Sequence, residues 1–249
     1  MPQLSVVIIT KNEEKNIRRC LESVAWADEI VIADSGSTDG TKSICQEFNC
    51  RIYDVEWQGF GNTKQQAVSL ATNDWILSLD ADEVLTPPLQ DEIKTLLINE
   101  PKLNAYRIKR NSFYLGKMIR FCGWDKDYTL RLFNRQKGGF NSRPVHEFVE
   151  VTGEAGKLLN PMLHFTYPDK ASHYQKMMLY AQLSSASMFA QGKTASLFDA
   201  YLRAVAKLLK MYVLRLGFLD GKSGLLLCLR SAWGVYYKYK LLWLKTKSG

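Results

Sequence analysis

Four short strand-like runs, set at nearly even spacing through the first eighty residues, constrain this chain more than any other feature. Leu4–Ile9 is continuous and mostly β-branched, which suits a strand buried on both faces. Glu29–Ala33 and Trp75–Leu79 repeat the pattern, and Arg51–Val55 reads as a further strand between them. Between them lie segments of about ten residues with helical spacing. Ile17, Leu21 and Val24 mark one face of a helix expected over 14–24, with Asn12 placed to cap it. A second helix is expected to end near Phe48, a third to cover 63–71, and a fourth to run from Pro87 and Pro88 to about Leu97. Strand and helix alternating in this way predict a three-layer α/β domain with parallel strands. Right-handed crossovers then bring the C-terminal ends of the strands to one edge, where open α/β sheets bind ligands.

The residues at those strand ends are polar. Thr10, Asp34 and Asp80 stand directly at three of them. In Asp80-Ala81-Asp82, two carboxylates flank a small residue, an arrangement that can approach one hard divalent cation together with phosphate oxygens. Two carboxylates beside a core are costly unless something binds them. In Asp34-Ser35-Gly36-Ser37-Thr38-Asp39, Gly36 permits a turn and Ser37, Thr38 or Asp39 can cap the next helix. Asp34 is not needed for that cap and is placed to accept from a base or ribose. No GxGxxG and no GxxxxGK[ST] is present, which argues against a dehydrogenase or a P-loop enzyme.

After residue 100 the pattern loosens. Short strand-like pieces at 104–109, 128–133 and 145–151 are separated by glycine-bearing loops, so the sheet is expected to become mixed. From Pro168 the chain reads as helical, with helices near 169–191, 195–216 and 222–245. The expected organisation is a catalytic body over 1–167 and a helical annex over 168–249. Charge divides at the same place. Residues 1–167 hold 20 Lys/Arg and 22 Asp/Glu, whereas 168–249 hold 13 Lys/Arg and only 3 Asp/Glu. The five cysteines show no metal-ligand spacing and read as buried or incidental thiols in a reducing compartment. The N-terminal apolar run is too short for a signal peptide, and no window reaches the ~18 apolar residues of a membrane span.

The segments VVIITKNEEKNI, VIADSGSTDGT and WILSLDADE, in this order and each at a strand end, resemble the three leading motifs of family 2 glycosyltransferases. These are inverting enzymes of the Rossmann-like GT-A fold. The resemblance implies a nucleotide-sugar donor, with Thr10, Asn12 and Glu13 lining the nucleotide pocket and Asp34 and Asp39 on the uracil and ribose side. It implies Asp80 and Asp82 as the metal and diphosphate pair for Mg²⁺ or Mn²⁺, with Asp82 the more direct ligand. Lys64 looks like the polar position that approaches the donor, although Lys64-Gln65-Gln66-Ala67 departs from the Ala-Arg-Asn of many members. Arg131-Leu132-Phe133, Val145-His146-Glu147, Leu163–Tyr167, FLDGKSG at 218–224 and YYKYKLLWL at 236–244 are similar to a bacterial subgroup. That subgroup contains the glucosyltransferases of the lipopolysaccharide core, which implies UDP-glucose as donor and an inner-core heptose as acceptor.

Inversion requires a base for the acceptor hydroxyl, separate from the metal carboxylates. Glu147, in RPVHEFV, is the candidate, or else it pairs with Arg143. His146 could orient the acceptor or support the base. His164 could supply a third metal ligand, or be a packed polar residue in a strand, and His173 reads as a helix-surface residue. Arg131 lies inside the apolar run YTLRLF and needs an anionic partner; it could support the Asp80–Asp82 loop or clasp the diphosphate. Trp124 and Asp125 are assigned to the acceptor side.

The last helices mix Trp, Tyr and Leu with Lys and Arg, which suits the headgroup layer of an anionic membrane. Peripheral association with the cytoplasmic face of the inner membrane, and a lipid-linked saccharide acceptor, are expected. Polyprenyl phosphate, a capsule precursor or a peptide are alternative acceptors. Metal-dependent nucleotidyl transfer would need a basic glycine-rich N-terminal loop that is not seen. A nucleic-acid-binding module would leave the acidic strand ends without purpose, and no nucleic-acid partner is expected.

Overall fold

The computed structural model describes residues 2–141, 148–167 and 169–248. The chain forms two compact units, one of Met1–Arg110 with Tyr128–His164, the other of Asn111–Asp127 with Phe165–Gly249. The segment 111–127 thus belongs with the C-terminal helices.

The first unit opens with β1 (Leu4–Thr10), α1 (Glu14–Val24), β2 (Glu29–Asp34), α2 (Thr41–Glu47), β3 (Arg51–Asp54), α3 (Phe60–Leu70), β4 (Trp75–Asp80), β5 (Glu83–Leu85) and α4 (Pro87–Ile98). Then come β6 (Ala105–Tyr114), β7 (Lys117–Met118), β8 (Tyr128–Asn134), β9 (Gly138–Phe140), β10 (Val149–Val151), β11 (Ala155–Lys157) and β12 (Met162–Tyr167). The sheet order is β3-β2-β1-β4-β8-β6-β12-β5. β1 runs parallel to β2 and to β4, while β8 is antiparallel to β4 and to β6. The mixed α/β sheet anticipated from the strand pattern is what forms.

Alternation along each central strand explains the three layers. Leu4, Val6, Ile8, Ile30, Ile32, Leu77 and Leu79 point into a core shared with Ile17 and Leu21 of α1 and with Leu89, Ile93 and Leu97 of α4. Val7, Val31, Ala33 and Ile76 point into a second core that includes Ala67 and Val68 of α3. Successive side chains of a strand face opposite ways, so both faces need apolar residues, and the runs read as continuous. Full burial of each such Val, Ile or Leu contributes ~1.5–3 kcal/mol.

Asn12 does not cap α1. Its backbone is left-handed, at φ 56°, and Glu13 occupies the position before the helix. β5 is an element that the run-based reading leaves out, because three residues show no periodicity.

In the second unit, α5 (Lys170–Ala190) and α6 (Leu197–Leu209) both pack on α7 (Gly221–Ser248). Asp169 caps α5 by accepting from the Ser172 N–H, and Ser196 and Asp199 form a capping box at α6. The helix expected over 195–216 ends earlier: Lys210–Leu214 widens into a π-turn and Gly217–Asp220 tightens into a 3₁₀ turn. A small core joins Tyr114, Ile119, Cys122, Met211, Leu227 and Cys228. Buried Asp220 secures segment 111–127 by accepting from the N–H of Arg120 at 3.1 Å and of Phe121 at 2.9 Å. His173 is not on the surface. It is 4% exposed, 3.0 Å from the Tyr114 hydroxyl and stacked on Tyr167. Burial holds its pKa down at about 4, helped by the charge of Arg230. All five cysteines are free, and only Cys50 is partly exposed. Among the described residues no helix is long and apolar enough to cross a membrane.

Candidate active site

Strand register sets the site. Thr10 pairs with Asp34 across β1 and β2, and Ile9 pairs with Asp80 across β1 and β4. The three polar strand ends therefore stand side by side. The Thr10 hydroxyl donates to Asp34 Oδ2 at 2.9 Å.

Asp34 is fully buried. Its Oδ1 accepts from the N–H groups of Gly36 at 3.0 Å and Ser37 at 2.8 Å, with Lys42 Nζ 3.6 Å away. Burial alone would raise its pKa. The Ser37 hydroxyl and the N–H and Thr10 bonds outweigh that and hold it below the usual carboxylate range. In this geometry Asp34 shapes the turn at Gly36, whose φ of 88° a side chain would resist. Asn12 closes the next loop onto it: its N–H donates to the Ser37 hydroxyl, and its side-chain oxygen accepts from the Thr38 N–H, both at 2.8 Å. The Glu13 N–H donates to the Thr41 hydroxyl at 2.8 Å, and Asp39 accepts from the N–H of Glu14 at 3.2 Å and of Thr41 at 3.0 Å. Residues 10–14 and 34–41 are thus one hydrogen-bonded unit.

Asp80 is not an unpaired carboxylate. Lys64 Nζ lies 2.8 Å from Oδ1, and Arg131 Nη2 lies 2.5 Å from Oδ2. Burial would raise its pKa, but the charges of Arg131 and Lys64 hold it well below its ordinary value. Arg131 also reaches Glu83 Oε1 at 2.6 Å, and Arg110 approaches the same oxygen at 3.4 Å. Burial works against the Arg131 charge; Asp80 and Glu83 more than compensate and raise its pKa. Asp80 is only partly buried, and two cations already offset the cost of that burial. The cluster brings Lys64, Arg131 and Arg110 together around the carboxylates of Asp80 and Glu83.

Asp82 has His164 Nε2 3.6 Å from its Oδ1. The pairing of β5 with β12 brings them together, since Glu83 registers with His164. A carboxylate and an imidazole suit a borderline or hard divalent cation. Among the described residues, no group of three His, Cys, Asp or Glu side chains could by itself hold a metal ion. Lys64 is itself buried rather than open to solvent. Trp124 packs, partly buried, against the small core of the second unit. His146, Glu147 and Arg143 lie outside the described residues.

Sequence reasoning missed Glu83 and Arg110 in this network. Glu83 directly succeeds Asp80-Ala81-Asp82, and a third acid after a buried strand was its available signal. Arg19 is a further neighbour. Burial lowers its pKa against the opposing charges of Asp82, Cys20 and Glu13.

A family model described as glycosyl transferase family 2 matches residues 5–150. An uncharacterised glycosyltransferase of Rickettsia typhi is 30% identical over 238 residues, covering 90% of this chain and 81% of its own. A lipopolysaccharide core biosynthesis glycosyltransferase, LpsC, of Rhizobium meliloti is 27% identical over 252 residues, covering 96% and 93%. Glucosyl-3-phosphoglycerate synthase of Mycobacterium tuberculosis, crystallised with Mn²⁺ and UDP, matches 46% of this chain and 45% of its own at 24% identity and a TM-score of 0.36, too slight a likeness to bear on the chemistry. The family match covers more than half of the chain and includes all three strand-end segments that build the site, and the protein therefore belongs to glycosyl transferase family 2, the GT-A-fold sugar transferases that work with a nucleotide-sugar donor.

Proposed function

We propose that the enzyme transfers a hexose, glucose from UDP-glucose, with inversion, onto a heptose of the lipopolysaccharide inner core. The observation that carries the transfer reading is the assembly at one sheet edge of Thr10, Asp34 and Asp80, with Asp82 beside His164. The acceptor reading is supported by the Rhizobium meliloti relative, which aligns along nearly all of both chains. On this reading the acceptor is lipid-linked and the protein works at the cytoplasmic face of the inner membrane.

Thr10, Asn12 and Glu13, braced by the Asp34–Asp39 loop, form the nucleotide side of the pocket. Asp34 and Asp39 act there by holding backbone N–H groups in place. The residues present fit a Mg²⁺ or Mn²⁺ that Asp82 and His164 would hold together with oxygens of the donor diphosphate. Both oxygens of Asp80 already face cations, so Asp80 supports this site through Lys64 and Arg131. When bound, the ion neutralises the leaving diphosphate. Glu147 takes the proton from the acceptor hydroxyl as general base, and His146 orients the acceptor.

A donor and acceptor screen tests the reading. Purified enzyme with Mn²⁺ is offered UDP-glucose, UDP-galactose and UDP-N-acetylhexosamines, each with truncated core oligosaccharides, and products are read by mass spectrometry, with the new anomeric proton read by NMR. The expected product is a heptose-containing core extended by one glucose of inverted configuration. Extension with another sugar, with retention, or only of a non-core acceptor overturns the corresponding part.

A further inference from the structure

Unit two carries a charge imbalance that its own folding sharpens. Residues 111–127 and 165–249 hold 16 Lys/Arg and 5 Asp/Glu. The three acids of the helical part are all engaged locally. Asp169 caps α5, Asp199 closes the α6 capping box, and Asp220 is buried under segment 111–127. Lys210, Arg215 and Lys222 meanwhile stand exposed around the connection between α6 and α7.

That connection exposes apolar side chains in quick succession. Leu214 is 76% exposed, and Val213, Leu216, Phe218 and Leu219 are all exposed as well. The exposure does not come from a loose loop. The Arg215 carbonyl accepts from the Cys122 N–H at 3.0 Å. Gly217 is so closely packed that a Cβ there would lie 2.7 Å from the Met211 carbonyl oxygen. Leu216 is held left-handed at φ 53°, a conformation that a branched residue rarely adopts. A strained, pinned turn that aims leucine and phenylalanine at solvent calls for an apolar partner.

We propose that Val213–Leu219 is a membrane wedge: Leu214, Leu216, Phe218 and Leu219 enter the acyl boundary of an anionic bilayer while Lys210, Arg215 and Lys222 remain among the headgroups. Charge complementarity selects this occupant. A second copy docking the same patch about a twofold axis would bring Lys210, Arg215 and Lys222 of both copies together, which like charge opposes. A lipid surface supplies both the apolar layer and the negative charge, and each basic group near it adds to binding. The wedge deepens the inner-membrane part of the proposed function and rests on it; because such binding needs neither donor nor acceptor, its failure is distinguishable from failure of the sugar transfer.

Flotation of the full chain with vesicles of phosphatidylglycerol and phosphatidylethanolamine tests it, with phosphatidylcholine vesicles as reference. The wild type is expected to float with the anionic vesicles and to dissociate in high salt. Leu214→Ser with Phe218→Ser and Leu219→Ser should weaken binding at least about tenfold, with an unchanged thermal melt. Lys210→Glu with Lys222→Glu should weaken binding to the anionic vesicles alone. A fluorophore on Leu214→Cys, in a Cys50→Ser background, should shift to the blue when vesicles are added. Wild type that stays at the bottom at low salt, a triple variant that floats like wild type, or a fluorophore that does not shift overturns the wedge. So does a vesicle-indifferent dimer that the triple variant converts to monomer.

Discussion

Around Asp80, five ionised side chains of the first unit are wholly or partly buried and paired with one another. Along α5–α7 the opposite happens: most basic side chains stay exposed and apolar ones join them there. Nineteen of the 25 large apolar residues that are exposed among the described residues belong to the second unit. Buried ion pairs seldom improve stability over a well-packed apolar core, and exposed leucine gains nothing from water. Each unit thus departs from the cheapest arrangement at the place where a partner would meet it. In the first unit the departure suits the proposed donor site, and in the second the proposed lipid-facing surface.

The contrast between the units breaks most sharply at Asp82. Asp82→Ala should reduce metal-dependent turnover to background and remove the Mn²⁺-dependent part of UDP binding in calorimetry, with little change in melting. Retained turnover would return the metal role to Asp80. Glu147→Gln should slow transfer by roughly 10²–10⁴-fold while UDP binding persists. Unchanged transfer would move the base elsewhere, with Asp125 and Asp127 the remaining carboxylates to test.

Arg131→Met probes the buried cluster itself. It leaves Asp80 and Glu83 short of a cation and should lower stability by about 3–5 kcal/mol in urea titration. Adding Glu83→Gln should restore part of the loss. If the single variant melts like wild type, the cluster is more open to water than its burial implies. An equivalent loss is not expected from Lys210→Met, since that side chain is exposed.

The smallest expected effect sharpens the second unit. His173 has a folded pKa near 4, below its ordinary value of 6.5, so the unfolded chain takes up the proton first. Its contribution to stability is complete above about pH 6.5 and is lost as pH falls toward 4. Asp34 and Asp80, held below the carboxylate range, add their own losses at lower pH. His173→Gln should flatten the slope of stability between pH 6.5 and 4 without changing the slope below it. An unchanged slope would show that the ring is hydrated.

The runs at Leu4, Glu29 and Trp75 declared buried parallel strands because both faces of each needed apolar residues. With parallel strands assumed, Thr10, Asp34 and Asp80 had to align, and the register realises that alignment. The role of Asn12 was not legible in the same way. An Asn before a helical run reads as a cap, but here a left-handed backbone turns its side chain to the Thr38 N–H. The surface assignment of His173 failed for a related reason. Helical spacing says which residues share a face, but not that Tyr114 and Tyr167 will cover it.

By itself, then, the sequence determined the alternating α/β layers, the polar edge and the basic helical end, because all three arise from short-range periodicity, strand direction and net charge. Only the tertiary structure decided that Lys64 and Arg131 neutralise Asp80, that His164 stands beside Asp82, and that the α6–α7 turn aims its leucines outward. Those outcomes depend on which distant segments pair and on which buried charges must find a partner. The energies that choose them, desolvation against ion pairing and backbone strain against packing, exist only once the chain has closed on itself.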